Sequence, residues 1–157
     1  MIEVEFNDAV IRRAFQGIER ALTDTSGLMN DLGDSLLAST TKRFKAGVTP
    51  EGEAFAPRSP VTLGRYDKAG ERYGKKPLWR RGDLYGKIHM QAEMDAATIG
   101  SNAIQAAMMQ FGGRKAEHPN LWGDIPARPF IGLSDEDRGN VLETIDEWLQ
   151  RAAGSPE

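Results

Sequence analysis

The chain has 157 residues, 39% of them apolar and 27% charged, with a formal net charge of −3. A single domain of this length buries roughly two-thirds of its unfolded surface, enough for a core of its own. No apolar run approaches the ~20 residues of a membrane-spanning helix, and the absence of cysteine excludes disulfides, thiolate nucleophiles and cysteine-ligated metals.

The acidic, alternating start Met1-Ile2-Glu3-Val4-Glu5-Phe6 has the form of neither a signal peptide nor a transit peptide. Asn7 and Asp8 are capping residues, and Ile11, Ala14, Phe15, Ile18 and Leu22 follow at helical spacing. A polar break at Thr23-Asp24-Thr25-Ser26-Gly27 separates this helix from a second. Leu28, Leu32, Leu36 and Phe44 mark that second stripe, which runs to about Ala46 and is stopped by Gly47 and Pro50. Both apolar stripes are read as core-facing. Regular periodicity then disappears from Gly47 to Trp79, where five glycines and four prolines indicate a long loop at about 48–80. Within it, residues 58–77 are expected to be mobile in an isolated subunit, with Phe55, Tyr66, Tyr73 and Trp79 available to dock on a partner.

Leu84, Gly86, Ile88 and Met90 alternate with Tyr85, Lys87, His89 and Gln91, the period-two pattern of a half-buried strand. Glu93-Met94-Asp95 turns the chain and Ala96–Ser101 returns, making a β-hairpin. Ser101 or Asn102 caps a short helix through Ala103, Ala106, Ala107 and Gln110, closed by Gly112-Gly113. A proline-stiffened strap follows, Ile125-Pro126-Ala127-Arg128-Pro129-Phe130, in which two prolines three residues apart hold the backbone extended. Ser134-Asp135-Glu136-Asp137 forms a capping box, after which Val141, Leu142, Ile145, Trp148 and Leu149 define one apolar face of a helix ended by Gly154-Ser155-Pro156. The expected fold is a single α+β domain over residues 1–157: two N-terminal helices, a small antiparallel sheet with a β-hairpin, and a C-terminal helix packed on the sheet.

Charge is unevenly placed. Residues 58–87 hold nine Lys/Arg against three Asp/Glu (+6), and residues 88–157 hold five against eleven (−6). Such polarity suits head-to-tail association of copies or a basic strip on nucleic acid, and equally suits solvated charges on separate loops.

Catalytic patterns are weak. Gly70-Glu71-Arg72-Tyr73-Gly74-Lys75-Lys76 is one residue short of a phosphate loop and lacks its hydroxyl. His89 and His118 have no zinc-ligand spacing, and no Gly-x-Ser-x-Gly elbow supports a serine triad. Asp135 and Asp137 are better explained as helix caps than as an acid/base pair. Neither an enzymatic activity nor a cofactor or metal is expected. A nucleic-acid-binding accessory role rests on Tyr73, Lys75, Lys76, Trp79, Arg80 and Arg81, where cations alternate with rings that stack on bases. The negative whole-chain charge and the lack of any nucleic-acid-binding signature weigh against it.

With these residues assembled, the chain resembles the phage virion morphogenesis (tail completion) family of Mu-like G-type and related S-type proteins. The resemblance is carried by Phe44, Gly47, Pro50, Gly52, Pro57 and Thr62, then by Leu78-Trp79-Arg80-Arg81-Gly82-Asp83-Leu84 and Ile99-Gly100-Ser101-Asn102. Its most specific parts are Gln110-Phe111-Gly112-Gly113 and the run from Ile125 to Ser134. The family's usual Tyr-Ala-x-x-His before Gln-Phe-Gly-Gly is replaced by Gln105-Ala106-Ala107-Met108-Met109, and its usual Trp after Pro-x-Gly by Phe55.

This resemblance implies a non-catalytic structural protein of the virion tail or neck, assembled in the bacterial host cytoplasm. It also implies a homo-oligomeric ring, a hexamer being favoured, that meets tail tube or terminator and head connector proteins. No membrane contact is implied, and any contact with DNA is confined to the neck channel. Phe111, Gly112, Gly113, Arg128, Pro129 and Phe130 are the leading candidate contacts, together with the 73–81 strip. For Phe111 and Phe130 a place in the core is favoured over a contact role, and Arg128 has the alternative of pairing with Asp135 or Asp137.

Overall fold

The computed structural model describes residues 8–154 apart from Lys75, Arg81 and Trp122. Its elements are α1 (Ala9–Leu22), α2 (Ser26–Ala46), α3 (Pro60–Lys68), β1 (Ile88–Ala92), β2 (Ala97–Ser101), α4 (Ala106–Phe111) and α5 (Asp135–Gly154). The strands form one antiparallel hairpin in which Met90 faces Ile99 and Ala92 faces Ala97. The fold is α+β, as the alternating and helical patterns require.

α2 is the centre of the molecule. Its Leu28, Leu32 and Phe44 are buried at the spacing read from the sequence, and Gly47 ends it in the left-handed conformation with φ +84°. Hairpin and helix meet closely at Gly33, where a Cβ would come within 2.7 Å of Met90 Cγ. The element carrying the hairpin is therefore α2. α5 lies instead against α1 and α2, where the sequence expectation set it on the sheet. α1 meets α5 through small residues: Gly17 is buried, and a Cβ there would lie 2.1 Å from the Ala152 carbonyl oxygen.

Beside that seam the α1 stripe is only partly covered. Ala14 and Ile18 are half-buried, but Ile11, Phe15 and Leu22 are 41–67% exposed, so the stripe faces the core only in part. Helical spacing reports a shared face, and here two helices pack through a narrow seam beside it. The C-terminal helix shows the same departure at Leu142, which is 68% exposed.

The main core is aromatic. Phe44 is surrounded by the rings of Phe130 (5.7 Å), Tyr85 (5.8 Å), Trp79 (6.1 Å) and Phe55 (6.2 Å), with Leu84, Ala103 and Ala106 alongside. The long loop expected at 48–80 is thus partly ordered against this core, and α3 lies inside it. α3 begins with Ser59, whose hydroxyl accepts from the Thr62 amide at 3.1 Å, and has Pro60 in its first turn. Those start signals are in the sequence, but the helix has no buried residue, so no apolar period marks it. The first strand also starts later than its alternation suggests, because Tyr85–Lys87 form a 3₁₀ turn that sends Leu84 and Tyr85 into the core. α4 starts at Ala106 rather than at Ala103; the Ser101 hydroxyl accepts from the Ala103 amide at 3.3 Å in the connecting turn.

The capping box at α5 forms as read: the Ser134 hydroxyl accepts from the Asp137 amide at 3.1 Å, and Asp137 accepts from the Ser134 amide at 2.9 Å. Asp137 also forms a buried ion pair with Arg43 of α2, their side chains being 1% and 11% exposed. Arg43 donates further to the Gly132 carbonyl at 2.8 Å and to Ser39 at 2.6 Å. Burial alone would raise the Asp137 carboxyl, but hydrogen bonds from Ser39, Ser134 and Arg43 outweigh it and hold it below the usual carboxylate range. The stabilisation is therefore complete above pH of about 4 and falls away as the medium is acidified further. Asp137→Asn should cost about 3 kcal/mol in urea unfolding at neutral pH. It should also flatten the acid limb of the stability curve; an unchanged acid limb would show that this pair does not set it.

Candidate functional site

The two segments singled out by the sequence, 110–113 and 125–134, are brought together, chiefly by the side chain of Gln110. Its Oε1 accepts the amides of Phe130 (3.0 Å) and Ile131 (3.1 Å), and its Nε2 donates to the Ile131 carbonyl (2.8 Å). The Arg128 amide donates to the Met109 carbonyl at 2.7 Å, and Gly113 and Ile125 exchange amide hydrogen bonds of 2.9 and 2.8 Å. Gly112 has φ +73°, and a Cβ there would approach the Ile125 carbonyl oxygen to 2.7 Å, so no other residue fits. The glycines and glutamine of this motif hold the strap in place.

Arg128 is buried within the chain rather than exposed on its surface. It is 6% exposed and bonds to neither Asp135 nor Asp137. Instead it donates to the carbonyls of Ala56 (2.6 Å), Pro57 (2.7 Å) and Pro126 (3.3 Å), fastening the strap to the segment that follows α2. Pro129 is half-buried and Phe130 is in the core. Phe111 goes the other way: at the last residue of α4 it is 78% exposed, contrary to the favoured core placement. Helix spacing does not identify its side, because six residues give too short a period.

In the basic-aromatic strip the rings are folded inward while Lys76 and Arg80 stay exposed; Lys75 and Arg81 lie outside the described residues. Trp79 packs on Phe44 and, at 4.9 Å, on Tyr85. Tyr73 stacks on Tyr66 at 4.9 Å and donates its hydroxyl to Asp67 at 3.0 Å, which raises the phenol above its usual range. Arg80 pairs with Glu71 and lies 4.8 Å from the Tyr66 ring centre, and Lys76 donates to the Lys45 carbonyl. The rings that would stack on bases are occupied by each other.

One residue that the sequence reading passed over completes this region. Arg58 lies over the rings of Tyr73 (5.4 Å) and Tyr66 (5.9 Å) and donates to the Gly74 carbonyl at 2.6 Å. Its Nη2 is buried without a hydrogen-bond partner. Arg58 and Tyr66, with Pro77 and Met109, line both of two adjoining recesses of about 520 and 380 Å³. Arg128 lines the larger and Arg80 the smaller. Burial lowers both the Arg58 and Arg128 guanidinium groups from their ordinary range, and the Arg58 charge lowers Arg128 further. The only advance signal for Arg58 was its place after Pro57 at the edge of a cationic run.

A second concavity, about 210 Å³, lies between α2, β2 and the strap's end, lined by Leu36, Ala97, Ile99 and Leu133. His89 is exposed on β1 and His118 in a turn, and among the described residues no group of three or more His, Asp or Glu is placed to hold a metal. No helix among them is long and apolar enough to cross a membrane.

Comparison with known proteins agrees with this layout. The model of the phage virion morphogenesis family matches residues 6–150. Over 151 residues the chain is 28% identical to the Mu-like prophage FluMu G protein 2 of Haemophilus influenzae, covering 96% of this chain and 97% of that one. Over 119 residues it is 31% identical to "Putative capsid assembly protein G" of Escherichia phage Mu, covering 75% of each. No solved structure matches the chain.

The clasp and the exposed ring next to it should respond differently to mutation. Gln110→Ala strands two strap amides and should cost about 2–3 kcal/mol in chemical denaturation. Phe111→Ser should change stability by no more than about 0.5 kcal/mol, as for other exposed positions. Equal losses for both would place Phe111 in the core.

Proposed function

The chain belongs to the phage virion morphogenesis family, and on that premise we propose that it is a ring-forming subunit at the tail–neck junction. It completes the tail and joins it to the DNA-filled head during virion assembly. A structural part in phage assembly follows from the family itself. The ring, its hexameric order and its place between a tail tube or terminator protein and a head connector are the finer reading. It works by fitting surfaces together, without making or breaking bonds.

The observation that carries this reading is the exposed apolar ridge of α1, formed by Ile11, Phe15 and Leu22. A folded subunit that leaves a helix ridge of this kind in water has a neighbour to cover it. Phe111 and Leu142 add further exposed apolar area on α4 and α5. Docking by rigid elements also fits the internal fastening of the strap, because a surface held on ordered backbone loses little entropy on association.

Light scattering on the eluting protein and electron microscopy should reveal closed rings, alone or on added tail tubes. The double substitution Phe15→Glu with Leu22→Glu should weaken association about tenfold or more while leaving the melting temperature nearly unchanged, since both side chains are exposed. A strict monomer in the presence of tail tubes, or virions that mature normally without the gene, would overturn the proposal.

A further inference from the structure

Arg58 and Arg128 are two guanidinium groups drawn out of water at the same recess, and neither has a carboxylate partner among the described residues. Arg128 is satisfied by backbone carbonyls, whereas Arg58 has one carbonyl and two ring faces and keeps a buried Nη2 without a hydrogen-bond partner. Among the described residues Asp124 is the one carboxylate lining this recess, its Oδ1 accepting the Lys115 amide at 2.8 Å, so two guanidinium charges there meet a single negative one. In the adjoining recess Asp83 faces Arg80, which is paired with Glu71. Removing like charges from water beside one another is unfavourable, and an entering anion reverses the sign of that interaction. The apolar walls from Met109, Pro77 and Pro126 would strengthen such a pair by excluding water, and the planar guanidinium fork suits a carboxylate.

We propose that this recess receives a carboxylate side chain from a second copy of the chain, supplied by the outer ridge of its α5. On that ridge Glu143, Asp146 and Glu147 are exposed at helical spacing beside exposed Leu142. Charge complementarity selects this occupant. The 58–87 region carries nine basic against three acidic residues (+6), and the 88–157 region five against eleven (−6). Each copy thus holds a cationic recess and an anionic ridge on different elements. A contact between them is heterologous and repeats from copy to copy, which builds a ring where the rotation per copy closes. This inference rests on the ring reading and names the pair of surfaces that would build it.

Sedimentation equilibrium of the full chain, without added ligand, tests it on the wild type, Arg58→Gln and the triple variant Glu143→Gln, Asp146→Gln, Glu147→Gln. Each variant should weaken self-association about 30-fold or more, as for truncation of one partner of a desolvated charge pair. Combining them should add little to the larger single effect, because both remove the same contact. Rings of wild-type affinity from either variant would overturn this pairing and leave the ring intact. A wild type that never associates, alone or with added tail tubes, would instead overturn the ring reading itself. Should Arg58→Gln lose its folded circular dichroism, the triple variant on exposed positions decides alone. Binding of a short DNA duplex that Arg58→Gln abolishes would identify phosphate as the occupant and overturn the proposal.

Discussion

The buried ion pair between Arg43 and Asp137 is the constraint on which the arrangement of the other elements depends. One guanidinium reaches the N-terminal box of α5, the carbonyl of Gly132 at the end of the strap and two hydroxyls of its own helix. Asp137 meanwhile closes the capping box with Ser134. Three segments far apart in the chain are therefore positioned by one pair of charges. A buried pair of this kind contributes little net energy relative to an apolar packing, yet losing one partner is costly because the other charge is left without compensation. Such a pair tolerates few alternative arrangements of α2, strap and α5. Phe44, the next residue of α2, turns to the opposite task and collects the rings of the core.

With the end of the strap held by Arg43, its middle is held by Gln110 and its start by Gly113. Arg128 then fastens it to Ala56 and Pro57. This explains why glutamine, glycine, arginine and proline recur in the two segments that resemble the family most. An extended strap forms no helix or sheet of its own, so its backbone groups need specific side-chain partners. Residues that look like presented anchors in the sequence are the fastenings, and the apolar side chains left in water lie elsewhere, at Phe111 and on α1.

The 58–80 lobe follows the same economy of internal partners. Rings and cations that resemble a nucleic-acid platform in the sequence stack on one another, with Tyr66 shared by Tyr73, Arg58 and Arg80. Cation–π and ring contacts allow a lobe with few buried aliphatic side chains to hold a shape. What the lobe retains is positive charge at a recess, an arrangement suited to an acidic protein surface more than to base stacking.

By itself the sequence determined the α+β class, the positions of α1, α2, the hairpin and α5, the capping box and the family, because these depend on local periodicity, caps and motif order. It also placed Leu28, Leu32, Phe44 and Phe130 in the core. α3 escaped notice because its signals are a cap and a proline without an apolar stripe, and Arg58 because a guanidinium's worth depends on which rings surround it. Only the tertiary structure decided that Arg128 turns inward while Phe111 and part of the α1 stripe face water, and that α2 rather than α5 carries the hairpin. Periodicity reports that residues share a face, whereas which faces meet is set by long-range fit: the glycine seam of α1 on α5, and the carbonyls that a buried arginine finds.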